Sequence, residues 1–366
     1  MTGWVPPPYP YDRLDAVAAL ADELPGGRVD LSIGTPCDPT PPAVLAALGE
    51  GGAAAQGYPP SIGTLAFRQA AAHWIERRLG ATVDARSELA ACVGTKEFVA
   101  SVPLYLKLRD PSRDTVLYPA VSYPTYAMGA TLAGVRAVSY SRLDEIAPAD
   151  AARALCVWVN SPANPTGELD DLRAAAAWGR EHGVLVLSDE CYAEFTWSSP
   201  AHSSGPTTIL REGVQGVLAV HSLSKRDNFA GARIGFYAGD PELVHYLREA
   251  RKHAGLMAPG PVQRAAVVAL DDDAHVEVQR RRYWSRLQVL ADLLARAGYP
   301  APLPDGGFYL WAPAPDGDAW AAAHDLARRA GIVVSPGEFY GPEGKAYFRV
   351  AAVQPDDRIE LAASRV

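Results

Sequence analysis

Through the middle of the chain, short apolar runs alternate with loops of Gly, Pro, Asn or Asp and with alanine- and leucine-rich stretches of helical length. The runs at 115–118, 155–159, 184–187, 217–220 and 234–238 are too short for helices and are bounded by breakers, so each is predicted as a strand. Continuous apolar strands interleaved with helices predict an α/β fold: a mostly parallel central sheet with helices on both faces. Beyond about residue 265 the pattern changes to a long amphipathic helix at 276–298, then short strands at 308–312 and 346–350. The expected organisation is a large domain over 40–265 and a smaller α+β domain made from 1–39 and 266–366. The run Pro6-Pro7-Pro8-Tyr9-Pro10 is incompatible with helix and predicts an extended N-terminal arm.

A chain of 366 residues, 48% hydrophobic and 21% charged, can bury a full α/β core with a smaller domain beside it. The net charge of −8 argues against nucleic-acid binding as the main activity, because phosphate-backbone recognition needs a basic surface. The first residues lack a charged-then-apolar leader, and no apolar run approaches bilayer length. A cytoplasmic enzyme acting on small molecules, with no nucleic-acid or membrane partner, is the expectation. Cys37, Cys92, Cys156 and Cys191 form no CxxC pair, so neither a metal centre nor a disulfide framework is expected.

Ligands of open α/β sheets collect at the carboxyl ends of the strands. Three predicted strand ends carry unusual polar groups: Asn160-Ser161-Pro162-Ala163-Asn164-Pro165-Thr166-Gly167, Ser188-Asp189-Glu190-Cys191-Tyr192, and His221-Ser222-Leu223-Ser224-Lys225. A lysine in such a crevice has its amine pKa lowered by desolvation and by a neighbouring cation, which is what a Schiff-base lysine requires. Arg233, eight residues after Lys225, and the Ser222 hydroxyl would supply a phosphate clamp. A carboxylate such as Asp189, ending an apolar strand, is costly to bury without a cationic partner; a protonated pyridine nitrogen is one. Tyr192 and Asn164 offer donors for a phenolate oxygen. Each also has an ordinary reading: Lys225 solvated, Asp189 capping a helix, Tyr192 packed, Asn164 turning the chain before Pro165.

Taken together, Asn164-Pro165-Thr166-Gly167, Asp189-Glu190-x-Tyr192, Ser222-x-Ser224-Lys225 and Arg233 resemble the fold-type I, class I/II aminotransferases over essentially the whole chain. The resemblance implies the pyridoxal-phosphate transferase fold type I, with pyridoxal 5'-phosphate as cofactor. It implies that Lys225 carries the cofactor as a Schiff base, that Asp189 pairs with the pyridine nitrogen, and that Asn164 and Tyr192 contact the phenolate oxygen. Ser222 and Arg233 would bind the phosphate, with Ser224 in the same cofactor site. Gly94-Thr95-Lys96-Glu97 follows a short strand and opens a helical stretch, so backbone N–H groups around Thr95 can meet that phosphate. Lys96 departs from the small or hydroxylic residues usual in the family; it either adds charge to the phosphate site or points to solvent. Tyr123 matches the aromatic that stacks on the cofactor ring. Tyr58 matches a tyrosine that reaches the phosphate of the neighbouring subunit, which implies a homodimer with shared active sites. Arg349 matches the arginine that pairs with the substrate α-carboxylate, where Gly34 lets the backbone approach and Asn164 also contributes. Ala232 before Arg233, and the absence of Pro-Gly before Tyr123, are further departures.

Longer strings narrow the likeness. Ser32-Ile33-Gly34-Thr35-Pro36 with Asp38-Pro39-Thr40-Pro41, Ser224-Lys225-Arg226 with Asn228, and Arg251-Lys252-His253-Ala254-Gly255 are similar to actinobacterial N-succinyldiaminopimelate aminotransferases of lysine biosynthesis. That implies transfer between N-succinyl-LL-2,6-diaminopimelate and 2-oxoglutarate, and a second subsite for a distal carboxylate, with Arg226, Lys252 and Lys96 as candidates. Aromatic or kynurenine-type aminotransferases, a carbon–sulfur lyase, and a non-catalytic ligand sensor of the same fold are the alternatives.

Overall fold

The run Ala154–Asn160 is buried at every position and forms a central strand. Its two neighbours, Thr115–Pro119 and Leu185–Asp189, are mostly buried as well, because both faces of the sheet are covered. The computed structural model describes residues 3–197 and 205–366. Among them, seven strands make the main sheet: β1 Leu89–Cys92, β2 Thr115–Pro119, β3 Arg136–Tyr140, β4 Ala154–Asn160, β5 Leu185–Asp189, β6 Val217–Ser222 and β7 Gly235–Gly239, in the order β1-β7-β6-β5-β4-β2-β3. The pairings from β3 to β6 are parallel, and β7 runs antiparallel to both its neighbours. The predicted strands are all present, with ends moved by a residue or two.

Side-chain alternation along β4 feeds two apolar layers. Cys156 and Trp158 face a layer shared with Phe98, Val102, Tyr126 and Leu247, from helices Thr95–Arg109, Thr125–Leu132 and Pro241–His253. Val157 and Val159 face one shared with Phe67, Ala175 and Ala266, from helices Leu65–Trp74, Leu172–His182 and Gly260–Asp271. Local signals set the helix ends. Asp171 accepts from the Ala174 N–H at 2.9 Å to start Leu172–His182, and Gly183, in the left-handed region, stops it. Asp240 caps Pro241–His253, with proline in the first turn.

The chain divides into two compact units: Asp38–Arg282 with Asp305–Gly307, and Met1–Cys37 with Tyr283–Pro304 and Phe308–Val366. The second break falls within helix Ala274–Ala297, later than the expected boundary at 265/266. The reason is that the first turns of this helix belong to the larger unit, where His275 meets Asp227 at 2.9 Å and Gln279 donates to Asp38 at 2.8 Å. Later in the helix, Arg286 pairs with Asp356 of the smaller unit at 2.5 Å. That unit holds an antiparallel sheet of β8 Tyr309–Pro313, β9 Ser335–Pro336 and β10 Tyr347–Ala351, ordered β9-β10-β8, beside helix Ala319–Ala330. A short parallel pair, Val29–Asp30 with Ile332–Val333, ties the N-terminal segment to it. No helix among the described residues is long and apolar enough to cross a membrane.

Candidate active site

Sheet register brings the chemistry of the larger unit to one edge. Asn160 pairs with Asp189, Asp189 with Val220 two residues before Ser222, and Ser222 with Gly235, which itself pairs with Cys92 just before Gly94. The carboxyl ends of β4, β5 and β6 therefore lie side by side, next to the amino end of helix Thr95–Arg109.

Asn160, to which the sequence reading gave no role, ties two of these ends together. Its Nδ2 donates to the Asp189 carbonyl at 2.8 Å and its Oδ1 accepts from the Asn164 N–H at 2.8 Å. Asn164 and Tyr192 are both buried. Asp189 is 6% exposed; its Oδ2 accepts from the Tyr126 hydroxyl at 2.9 Å and its Oδ1 from the Cys191 N–H at 3.2 Å. Burial pushes the Asp189 carboxyl above the ordinary carboxylate range, against the pull of hydrogen bonds from Cys191 and Tyr126. Tyr126 was also not foreseen as a functional residue. The signal was its i+3 spacing from Tyr123 across the turn that leads into helix Thr125–Leu132, where the Tyr126 N–H donates to the Tyr123 carbonyl at 3.1 Å and the two rings meet edge to face at 5.9 Å.

The third strand end turns directly into the one-turn helix Leu223–Arg226. Ser222 Oγ caps it by accepting from the Ser224 N–H at 3.1 Å, and Lys225 is carried on it half-buried. Arg233 adopts the left-handed conformation at φ +54° and is exposed, its Nη1 donating to the Ala230 carbonyl at 2.8 Å. The guanidinium lies against Gly94, where a Cβ would overlap it. Gly94, at φ +78°, precedes Thr95 at the start of the helix, and Cys191 Sγ donates to Thr95 Oγ1 at 3.3 Å. The structure thus gathers Thr95, Asp189, Ser222, Ser224, Lys225 and Arg233 along one edge, while Lys96 is exposed on the first helical turn. Tyr58 does not join them in its own chain: its side chain is 94% exposed. Arg233 also lines a depression of about 650 Å³ with Thr40, Val93, Asn228, Phe229 and Pro259.

Arg226 corrects one expectation. Although adjacent to Lys225, it is 4% exposed and engaged inward: Nε meets Glu194 at 3.4 Å, Nη1 meets Asp227 at 2.5 Å and donates to the Ala269 carbonyl at 2.7 Å. It is a structural cation and not a substrate-binding one. Lys252 is 60% exposed beside Glu249.

In the smaller unit, Arg349 lies on β10, 2% exposed, with its guanidinium between the rings of Tyr309 at 4.1 Å and Tyr340 at 4.8 Å. Its Nη2 donates to the Ser32 carbonyl at 2.6 Å and to Tyr11 Oη at 3.3 Å. Gly34 is buried where any Cβ would strike the Tyr309 side chain.

The aminotransferase class I and II family profile matches residues 27–366. The chain belongs to this family. It is 43% identical to the probable aminotransferase Rv1178 of Mycobacterium tuberculosis, over 98% of this chain and 85% of that one. It is also 43% identical to 4-dedimethylamino-4-oxo-anhydrotetracycline transaminase OxyQ of Streptomyces rimosus, over 98% and 99%. The LL-diaminopimelate aminotransferase of Aquifex aeolicus is 32% identical over 98% and 96%. Among solved structures, N-succinyldiaminopimelate aminotransferase from Mycobacterium tuberculosis superposes with a TM-score of 0.84 at 25% identity, covering 96% of each chain.

The protein is therefore a pyridoxal-phosphate-dependent aminotransferase. The residues present fit the cofactor. The missing Cβ at Gly94 lets the Arg233 guanidinium lie against the backbone at a helix N-terminus suited to a phosphate. The buried Asp189, whose ionised form burial disfavours, would gain a partner in a ring cation.

Proposed function

We propose that this aminotransferase moves an amino group between N-succinyl-LL-2,6-diaminopimelate and 2-oxoglutarate, as a step of lysine biosynthesis. Support comes from the sequence strings shared with that enzyme group and from likeness to relatives named for diaminopimelate substrates. A second reading is favoured by the 43% identity to OxyQ over nearly all of both chains. In it, the amino acceptor is a ketone on a fused-ring substrate.

The residue assignment rests on one observation above all: the buried Asp189 carboxylate aimed by Tyr126 at the strand end beside Lys225. Bound pyridoxal phosphate supplies an electron sink for bond breaking at the substrate Cα. Lys225 holds the cofactor through its amine and, once released, moves the proton from the substrate Cα. Asp189 keeps the proton on the pyridine nitrogen. Asn164 and Tyr192 donate towards the phenolate oxygen, and Tyr123 packs on the ring. Thr95, Ser222, Ser224 and Arg233 bind the phosphate, with Lys96 adding charge nearby. Arg349, with Gly34 beside it, takes the α-carboxylate of the substrate. We also infer a homodimer in which Tyr58 of the partner subunit meets the phosphate; its 94% exposure and the depression beside Arg233 support this.

The deciding experiment pairs an absorption spectrum with a substrate panel. The cofactor band should shift on adding glutamate, and this response should be lost in Lys225→Ala. Turnover should then be fastest with the succinylated substrate. No band shift, or a band unchanged in Lys225→Ala, overturns the residue assignment. Preference for a polycyclic ketone acceptor replaces the first substrate reading with the second.

A further inference from the structure

The proline-rich start of the smaller unit leads into the turn Pro10–Leu14, which carries Tyr11. The Tyr11 hydroxyl meets Tyr340 Oη at 3.0 Å and accepts from Arg349 Nη2 at 3.3 Å. Its ring packs edge-on against Phe339, with centroids 5.5 Å apart at 67°. Two residues on, the Arg13 guanidinium sits over Trp320 at 4.9 Å and pairs with Glu338 at 2.7 Å. The turn is thus clipped by aromatic and charged contacts to the segment 337–340.

The contact with Arg349 is the one that bears on chemistry. Two aromatic faces flank this guanidinium, Tyr309 and Tyr340. Flanking rings resist displacement out of the guanidinium plane but leave rotation within the plane unhindered. That rotation is fixed by hydrogen bonds, and here both hydrogens of Nη2 are used: one on the Ser32 carbonyl at 2.6 Å, the other on Tyr11 Oη. One acceptor is a backbone carbonyl and the other a hydroxyl. A fork that recognises a carboxylate through two parallel N–H groups depends on that in-plane angle.

We propose that Tyr11 is a positioning residue for α-carboxylate recognition, locking the in-plane orientation of Arg349 and coupling the N-terminal arm to substrate binding. This rests on Arg349 being the α-carboxylate residue. Tyr11 would not touch the reacting atoms, so its loss should act on affinity and leave the chemical step intact.

The test compares Tyr11→Phe, Arg349→Lys and the double variant by steady-state kinetics on the amino donor and by calorimetric binding of 2-oxoglutarate. Tyr11→Phe keeps the ring against Phe339, and its melting temperature reports that the fold is retained. Losing one hydrogen bond to a charged group should raise KM and Kd about tenfold, with kcat within roughly twofold of the parent. Arg349→Lys should raise both further, and adding Tyr11→Phe to it should cost almost nothing more, because the orientation to be held is gone. Unchanged KM and Kd in Tyr11→Phe, with Arg349→Lys impaired, overturn the role of Tyr11. Unchanged affinity in Arg349→Lys overturns the α-carboxylate reading beneath it. A Tyr11→Phe loss confined to kcat also overturns the proposal.

Discussion

The Tyr126 hydroxyl donates to Asp189 Oδ2 at 2.9 Å, both groups being buried. The tyrosine ring is itself held, stacked on Trp158 at 4.9 Å and 23°. With Cys191 N–H on the other oxygen, the carboxylate is oriented from two sides. Tyr126→Phe keeps the ring and its stacking but removes a hydrogen bond to a charged acceptor. We expect kcat/KM to fall about tenfold with little loss of stability. Asp189→Asn should damage turnover far more while the cofactor still binds. Paired kinetics and absorption spectra of the two variants check both expectations.

The strand ends were legible because buried parallel strands are continuous apolar runs, and polar residues that interrupt them stand out. Asn160, Asp189 and Ser222 were visible on that ground. Strand β3 was not: Arg136–Tyr140 lies at the sheet edge with no fully buried position, so it carries no apolar run. Arg226 was misread for a different reason. Its place beside Lys225 is local information, whereas its carboxylate at Glu194 lies 32 residues away and the Ala269 carbonyl 43. Tyr126 was hidden for the same reason, its acceptor being 63 residues distant.

Gly94 supplies a direct probe of the phosphate corner. It combines φ +78° with a Cα against which the Arg233 guanidinium rests. An alanine there must strain the backbone and push the arginine aside. Gly94→Ala should weaken pyridoxal-phosphate affinity about tenfold or more, read by titrating apoenzyme and following the cofactor absorbance. Because the contact is local, the melting temperature of the apoprotein should change much less than the affinity.

Arg226 should behave as part of the core. Asp227 is fully buried and Glu194 is 3% exposed. Burial alone would raise the Glu194 pKa, but Arg78 and Arg226 together hold it below its ordinary value. Arg226→Met strands these carboxylates and should cost about 3 kcal/mol or more in denaturant unfolding. Glu194 keeps Arg78 at 2.9 Å and Asp227 keeps His275 at 2.9 Å, which limits the loss. The KM of protein that does fold should stay near the parent value. A large KM rise for dicarboxylate substrates with unchanged stability would return Arg226 to the substrate site.

Glu190, next to Asp189, carries a pH dependence of its own. It is 1% exposed, and burial pushes its carboxyl from 4.5 up to about 7 despite hydrogen bonds at Oε1 from Ser188 and the Ile209 N–H, each 2.8 Å long. His221 Nε2 lies 3.3 Å from Oε2, and burial lowers this histidine to about 3, so the pair is held neutral. A folded-state pKa raised above the unfolded one contributes stability that is complete below about 4.5. That contribution is lost as the pH rises to about 7 and is absent above it. Glu190→Gln mimics the protonated acid: its carbonyl can accept the same two hydrogen bonds, and its amide can face His221. The melting temperature of Glu190→Gln relative to the parent should therefore climb between pH 4.5 and 7 and level off at higher pH. Thermal melts of the two proteins in matched buffers across that range measure the difference directly. A parallel offset at every pH would mean that Glu190 is ionised in the fold and paired with a charged His221.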